Sequence, residues 1–288
     1  MSSSGPARWR KTPGAALLAL GVACVFLTPL YVMLVTSLKS MEEIRGGALF
    51  ALPAHITLEP WRLAWSGACT GVACGGIRAG FWNSVLITVP STVLAVLLGA
   101  LNGYTLSLWR PRGGQTLFAV LLLGAFIPVQ VMMFPLVRLL AGIGLVGTLA
   151  GIVLVHVVFS MPLMTLLFRN YFRALPAELF HAARIDGARF VRLFVHLALP
   201  LARPMLVVAS ILELTGVWND YILGLVFAGR SYQPMTVELN NLINTTTGTR
   251  FYNVNMAATL LTAAAPLLVY ACAGKWFVRG VTAGALRG

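Results

Sequence analysis

Few residues in this 288-residue chain could do chemistry. The four histidines, His55, His156, His181 and His196, are scattered and not spaced as metal ligands. No His-Glu-x-x-His pair, Gly-x-Ser-x-Gly elbow or nucleophile–base pair is visible. A phosphate-binding loop needs Gly-Lys followed by Ser or Thr, and the one Gly-Lys pair, Gly274-Lys275, continues with Trp276. The expectation is a chain without catalytic residues, metal or cofactor. Two carboxylates stand out instead. Glu213 and Asp220 lie in a long apolar run, with Trp218 and Asn219 beside the second. Buried ionisable groups in such a run are costly and ordinarily face a bundle interior or a water-filled cavity. Two readings are open for Glu213, Trp218, Asn219 and Asp220. In one they line or gate a polar pathway. In the other they make interhelical hydrogen bonds, with Trp218 in the aromatic belt.

The elements that must position these residues follow from composition. Apolar residues make up 58% and charged residues 10%, against about 25% charged in a soluble domain. That excludes a soluble globule, which could not cover its surface, and a disordered chain, which needs low hydrophobicity. Long unbroken apolar runs argue against the alternating strands of a membrane barrel. The fold class is all-α, a polytopic membrane protein. Runs of about 20 apolar residues place six transmembrane helices at 14–38, 81–107, 115–138, 148–168, 202–226 and 255–276. Pro29, Pro90, Pro128, Pro135, Pro162 and Pro266 fall inside them, which neighbouring helices make tolerable. The first run is too long for a signal-peptide core and is kept as a span.

Charge orients the spans. Arg8, Arg10, Lys11, Arg110, Arg112, Arg169, Arg173, Arg184, Arg189, Arg192, Arg203, Lys275, Arg279 and Arg287 fall on one side, and Lys39, Arg45, Arg62, Arg78, Arg138, Arg230 and Arg250 on the other. The twofold bias places both termini in the cytoplasm. The net charge of +13 therefore reports topology, and no nucleic-acid partner is expected. The chain reads as one domain over 1–288, with outer segments 39–80 and 227–254 and an inner segment 169–201. Gly99-x-x-x-Gly103 and Gly147-x-x-x-Gly151 suit close helix packing, and Asn102 and Gln130 are further polar residues in spans.

The inner segment has the densest charge: RNYFRALPAELFHAARIDGARFVRLFVHLALPLARP over 169–204. Pro176 can open a helix, with Leu179, Ala182, Ala183 and Ile185 on an apolar face. Asp186-Gly187 is a stop and turn signal. A second amphipathic stretch puts Phe190, Leu193, Phe194 and Leu197 inward and Arg189, Arg192 and His196 outward. The result is a helix–turn–helix on the cytoplasmic face. It either lies on anionic lipid or offers a knob to a soluble partner.

His181-Ala182-Ala183-x-x-x-Gly187, nine residues, then Leu197-x-Leu199-Pro200 resembles the EAA loop of ABC importer permeases. His181 stands where that family has Glu, and Glu178 lies one helical turn earlier. The likeness runs over nearly the whole chain, through NYFRALPAEL, VWNDYILGLVF and KWFVRGVTAGALRG. It is closest to the maltose-permease-like second subunit of carbohydrate importers. The outer segments resemble glucose/mannose-type permeases. The resemblance implies a sugar-importing permease subunit in a bacterial inner membrane. Its partners would be a second permease subunit, an ATPase dimer carrying ATP and Mg, a periplasmic sugar-binding protein, the sugar and the lipid bilayer. It assigns ATPase coupling to Glu178, His181, Ala182, Ala183, Asp186, Gly187, Leu199 and Pro200. It also lets the outer segment 227–254, with Asn240, Asn241, Asn244 and Thr245, enter the cleft of the binding protein; a solvated loop is the plainer reading.

The competing class, a proton-coupled transporter, needs paired ionisable groups in mid-membrane, and nothing pairs obviously with Glu213 or Asp220. Cys69 and Cys74, in CTGVAC, have a spacing that permits ring closure, and an oxidising outer compartment would make them a disulfide. A reduced pair or a metal site is the alternative, with His55 the one histidine of the outer segments. Cys24 and Cys272 fall in spans.

Overall fold

A computed structural model of the chain describes residues 13–47, 49–70, 74–244 and 250–285, with side chains described between 14 and 274. The described residues are helical and form no strand. In order, the helices are α1 (Pro13–Ser37), α2 (Met41–Arg45), α3 (Glu59–Ser66), α4 (Arg78–Tyr104), α5 (Gly114–Ala125), α6 (Val129–Gly142) and α7 (Leu149–Arg173). There follow α8 (Ala177–Ile185), α9 (Phe190–Leu193), α10 (Leu199–Leu201), α11 (Arg203–Asn219), α12 (Ile222–Phe227), α13 (Met235–Asn244) and α14 (Tyr252–Ala285). Two π-helical turns, Thr105–Trp109 and Phe194–Ala198, continue α4 and α9.

Four helices, α1, α4 with its π turn, α7 and α14, are long and apolar enough to cross a membrane. The number reaches six if α5 with α6, bent by 107°, and the α9–α10 stretch with α11, bent by 78°, each count as one span. The expected span 115–138 is thus not a straight helix. Pro128 sits at the N-cap of α6, and a residue before proline avoids the α region, so the helix must stop and restart. The expected span 202–226 also breaks. Its first part, α11, has 17 residues, about 26 Å of helix, and the chain leaves the helical region at Asp220 before α12. In the other direction, α7 runs on to Arg173 and takes in the first five residues of the expected inner segment.

α4 and α7 form the centre. A Cβ on Gly99 would lie 2.4 Å from that of Met164, and one on Gly103 would lie 2.6 Å from the backbone nitrogen of Arg169. The two backbones touch because neither glycine has a side chain. Gly147 and Gly151 play a different part. Gly147 has φ +77 and lies in the turn before α7, and the Thr148 hydroxyl caps the helix by accepting from the Gly151 N–H at 3.0 Å. That pair serves a turn and a cap, not helix packing.

The buried apolar residues collect in three clusters, one of them around Ile87, Ile152, Val155 and Phe227. An inner cluster gathers Tyr104, Phe168, Phe172, Phe180, Leu193 and Ala198, and an outer cluster gathers Ala64, Ile77, Trp218, Met235, Leu242 and Val254. α1 is exposed along nearly its whole length.

Candidate functional site

The inner segment is built on the inner cluster. α8 follows α7 after a short turn at 174–176, with Pro176 at its N-cap. Its buried anchor is Phe180, 3% exposed. The expected apolar face does not point into the bundle: Leu179 and Ala182 are exposed, and Ile185 is 86% exposed. The reason is the period. Phe180 falls between the other apolar positions and fills the aromatic cluster, which turns Leu179 and Ile185 outward. Glu178, His181 and Asp186 are exposed as well, and Ala183 is half-buried.

The turn after α8 closes by two bonds. The Gly187 N–H donates to Arg184 O at 3.0 Å and the Ala188 N–H to Ala183 O at 3.0 Å. With Gly187 at φ +80, this is a Schellman motif, in which a left-handed residue satisfies the last carbonyls of a helix. The Ala183-to-Gly187 spacing is therefore the geometry of a helix stop.

α9 then anchors through Leu193, 1% exposed, and leaves Arg189, Arg192 and His196 exposed. Leu199 is half-buried on the inner cluster, and Pro200 is exposed at the start of α10. The Tyr171 hydroxyl donates to Leu201 O at 2.8 Å.

Two residues that sequence reasoning passed over, Tyr104 and Arg184, hold this segment, and a third, Arg169, ties α7 to α5. Tyr104 is fully buried and donates its hydroxyl to Phe190 O at 3.1 Å. Arg184 donates from Nη2 to Leu108 O at 3.1 Å and lies over the Trp109 ring. Arg169, read as a loop charge, is buried at the end of α7 instead. Its guanidinium sits 4.1 Å from the centre of the Phe118 ring and donates to Gln115 Oε1. Only their types were legible beforehand, because contacts between distant helices leave no local pattern.

Within the membrane region the polar residues meet across helices. Glu213 is buried and accepts a hydrogen bond from the Ser160 hydroxyl of α7. His156 Nε2, one turn outward on α7, lies 3.9 Å from Asp220 Oδ2. Both carboxylates have a neighbour after all. Asp220 also accepts from the backbone N–H groups of Leu223 and Gly224 at 3.3 and 2.9 Å, and so caps α12. Trp218 donates Nε1–H to Thr262 O at 3.0 Å and meets Phe81 edge-on. It is buried between helices. Asn219 is exposed at the end of α11. The gap lined by Ser84, Thr88, His156 and Asp220 is too narrow to admit a water. Asn102 donates to Thr165 Oγ1 at 3.4 Å and ties α4 to α7.

The outer segment 227–254 contains a helix. α13 buries Met235, Val237 and Leu242 and presents a polar face. Asn240 donates to the Tyr221 hydroxyl at 3.0 Å and Asn244 to Asn240 Oδ1 at 2.9 Å. Asn241 is half-buried, and Thr245 lies outside the described residues. Burial pushes the Glu238 carboxyl above the usual carboxylate range, against the opposing pull of a hydrogen bond from Thr70. Between α3 and α4, Cys69 and Cys74 are joined as a disulfide.

The family described as binding-protein-dependent transport system inner membrane component matches residues 80–283. Among curated relatives, the melibiose/raffinose/stachyose import permease MelC of Bacillus subtilis is 31% identical, over 94% of this chain and 95% of its own. The osmoprotective compounds uptake permease GgtD of Synechocystis sp. is 29% identical, over 97% of this chain and 93% of its own. The glucose import permease GlcU of Saccharolobus solfataricus is 28% identical, over 91% of this chain and 90% of its own. A chain in the crystal structure of a bacterial ABC transporter for the acidic polysaccharide alginate superposes with a TM-score of 0.78 at 21% identity, covering 91% of this chain and 95% of that one. That likeness is one of fold.

Proposed function

Because the chain belongs to the family of binding-protein-dependent transport system inner membrane components, we propose that it forms half of a sugar pathway and is driven through α8 and α9 by a separate ATPase. Membership makes it a multi-pass inner-membrane permease subunit of an ABC importer, and not the ATPase. The remaining assignments are our reading. Both termini are cytoplasmic, one domain spans 1–288, and a second permease subunit completes the pathway. An ATPase dimer, carrying ATP and Mg, docks on the inner segment, and a periplasmic binding protein delivers the sugar. The cargo is a carbohydrate, with glucose or mannose the first candidates. The outer segments support that choice by their texture, and two relatives named for melibiose/raffinose/stachyose and for glucose import support the wider class.

One observation carries the coupling assignment. α8 and α9 are pinned by Phe180 and Leu193, while Leu179, Ile185 and Val191 are left exposed around a rigid glycine turn. A segment built to rest on lipid would be held by the lipid; this one is fixed to the bundle and offers its apolar face elsewhere. Glu178, His181, Ala182, Asp186 and Gly187 belong to that offered face, with Ala183, Leu199 and Pro200 supporting it. His181 then contributes a contact without the carboxylate of the family pattern. On the outer side, Asn240, Asn241 and Asn244 of α13 face the binding protein.

Uptake of labelled glucose in a deletion strain complemented with this chain, competed with a panel of unlabelled sugars, tests the cargo. We expect competition by glucose or mannose. Glucose uptake unaffected by deletion, in a strain with no second carrier, rejects the monosaccharide assignment. Failure of the complemented strain to take up any labelled sugar of the panel rejects the carbohydrate class.

A further inference from the structure

α8 is a lever. One end is chained to α7 through residues 174–176, and the other runs into the Gly187 turn. A helix of nine residues, held at one end and seated at its middle by Phe180, can still swing at its other end under a sideways load. Here the far end is held too. Arg184, in the last turn of α8, places its guanidinium 4.7 Å from the centre of the Trp109 ring and donates to Leu108 O at 3.1 Å. Both contacts lie in the π-helical turn Thr105–Trp109 at the inner end of α4. The same region receives α9: Tyr104 donates to Phe190 O, and the Trp109 and Phe190 rings lie 5.2 Å apart. α4 is not chained to the inner segment, whereas α7 leads directly into it. α8 therefore bridges α7 and α4, two helices already in backbone contact at Gly99 and Gly103.

We infer that Arg184 is a positioning residue that locks the far end of α8 onto α4, so that movement imposed on the inner segment is delivered to the α4–α7 pair and not lost in pivoting of α8. The inference rests on the coupling role proposed above. The site demands arginine. A planar cation stacks on an indole while one of its N–H groups reaches a carbonyl, whereas lysine offers a hydrated point charge that does not do both. Trp109 is the complementary half, and its loss leaves the Leu108 carbonyl in place.

The test uses the complete transporter in proteoliposomes, with permease pair, ATPase, binding protein and sugar. Three quantities are read: ATPase retained on the permease, ATP hydrolysed, and sugar imported per ATP. In Arg184→Ala the ATPase should stay bound and active while the import-to-hydrolysis ratio falls about tenfold, equivalent to about 1.4 kcal/mol of coupling. Arg184→Lys and Trp109→Leu should each fall severalfold. The double variant Arg184→Ala/Trp109→Leu should be no worse than Arg184→Ala, because the two side chains act as one unit. An unchanged ratio in Arg184→Ala overturns the inference. So does loss of ATPase binding in Arg184→Ala with a normal Trp109→Leu, which would make Arg184 part of the docking face. Where Arg184→Ala fails to accumulate, normal ratios in both Arg184→Lys and Trp109→Leu overturn it. A wild-type chain that retains no ATPase refutes the coupling role itself, a result distinct from all of these.

Discussion

Gly187 offers the sharpest test of the inner segment, because its cost can be worked out from backbone geometry alone. Its φ is +80, and a Cβ built there meets nothing within 4 Å. Any penalty of substitution is therefore conformational and not a clash. An L-residue in the left-handed region costs about 1–2 kcal/mol, and β-branching places valine at or above the upper end. Removing a glycine also narrows the unfolded chain and returns about 0.4–1 kcal/mol. The net expectation is a few tenths of a kcal/mol or less for Gly187→Asn, up to about 1 for Gly187→Ala and about 1–2 for Gly187→Val. At about 1.4 kcal/mol per tenfold, valine depletes the closed turn by roughly five- to thirtyfold. Membrane insertion should be unaffected, since the residue lies between α8 and α9. The assay is ATPase co-purification with sugar uptake across the four residues. We expect the order Gly, Asn, Ala, Val. Asparagine is larger than alanine, so a steric origin gives the reverse order for those two. Uptake by Gly187→Val at the wild-type level, or Ala outperforming Asn, refutes the reasoning.

Three further outcomes are expected. Gly103→Ala should lower thermal stability by about 1–3 kcal/mol, because its Cβ would meet Phe168 and Arg169 at 2.6 Å, while Gly124→Ala, with nothing within 4 Å, should be near neutral; equal melting temperatures would argue against the α4–α7 contact. Asp220→Ala should cost about 1 kcal/mol by uncapping α12, whereas Asp220→Asn should keep uptake within about twofold if the residue is only a cap; severe loss of uptake in a well-expressed Asp220→Asn supports the pathway reading instead. The native state holds the Glu238 proton to higher pH than the unfolded chain does, so this group's contribution is full below the usual value of 4.5 and is lost as pH rises through the raised folded value. Melting curves of Glu238→Gln should lack that fall, and curves parallel to wild type at every pH contradict the assignment.

Composition and the length of the apolar runs made the helical membrane fold legible, since burial in lipid leaves few alternatives to helix. The Asp186-Gly187 pair made the inner turn legible, because a helix stop is a local device written in consecutive residues. The break at Pro128 was present in the sequence but hidden by an apolar run that continues through it. Arg169 and Arg184 could not be assigned as fixed side chains, because their partners, Phe118 and Trp109, lie on helices far away in the chain. Glu213 and Asp220 were visible as costly groups, while Ser160 and His156, which meet them, belong to a different helix and carry no signal that pairs them.

The notch-to-backbone fit at Gly99 and Gly103 bears on where this subunit can flex. Each glycine sits opposite a bulky step on α7, Met164 and Phe168, so a shift of one helical turn along the axis would drive side chains into main chain. Those two helices have no second register to slide into and travel as a single plank. α11 meets its neighbours differently, through Ser160 to Glu213, His156 to Asp220 and Trp218 to Thr262. The same helix also buries Val208, Ala209, Ile211 and Val217 against its neighbours. A rearrangement that preserves the glycine fit therefore carries α4 and α7 together.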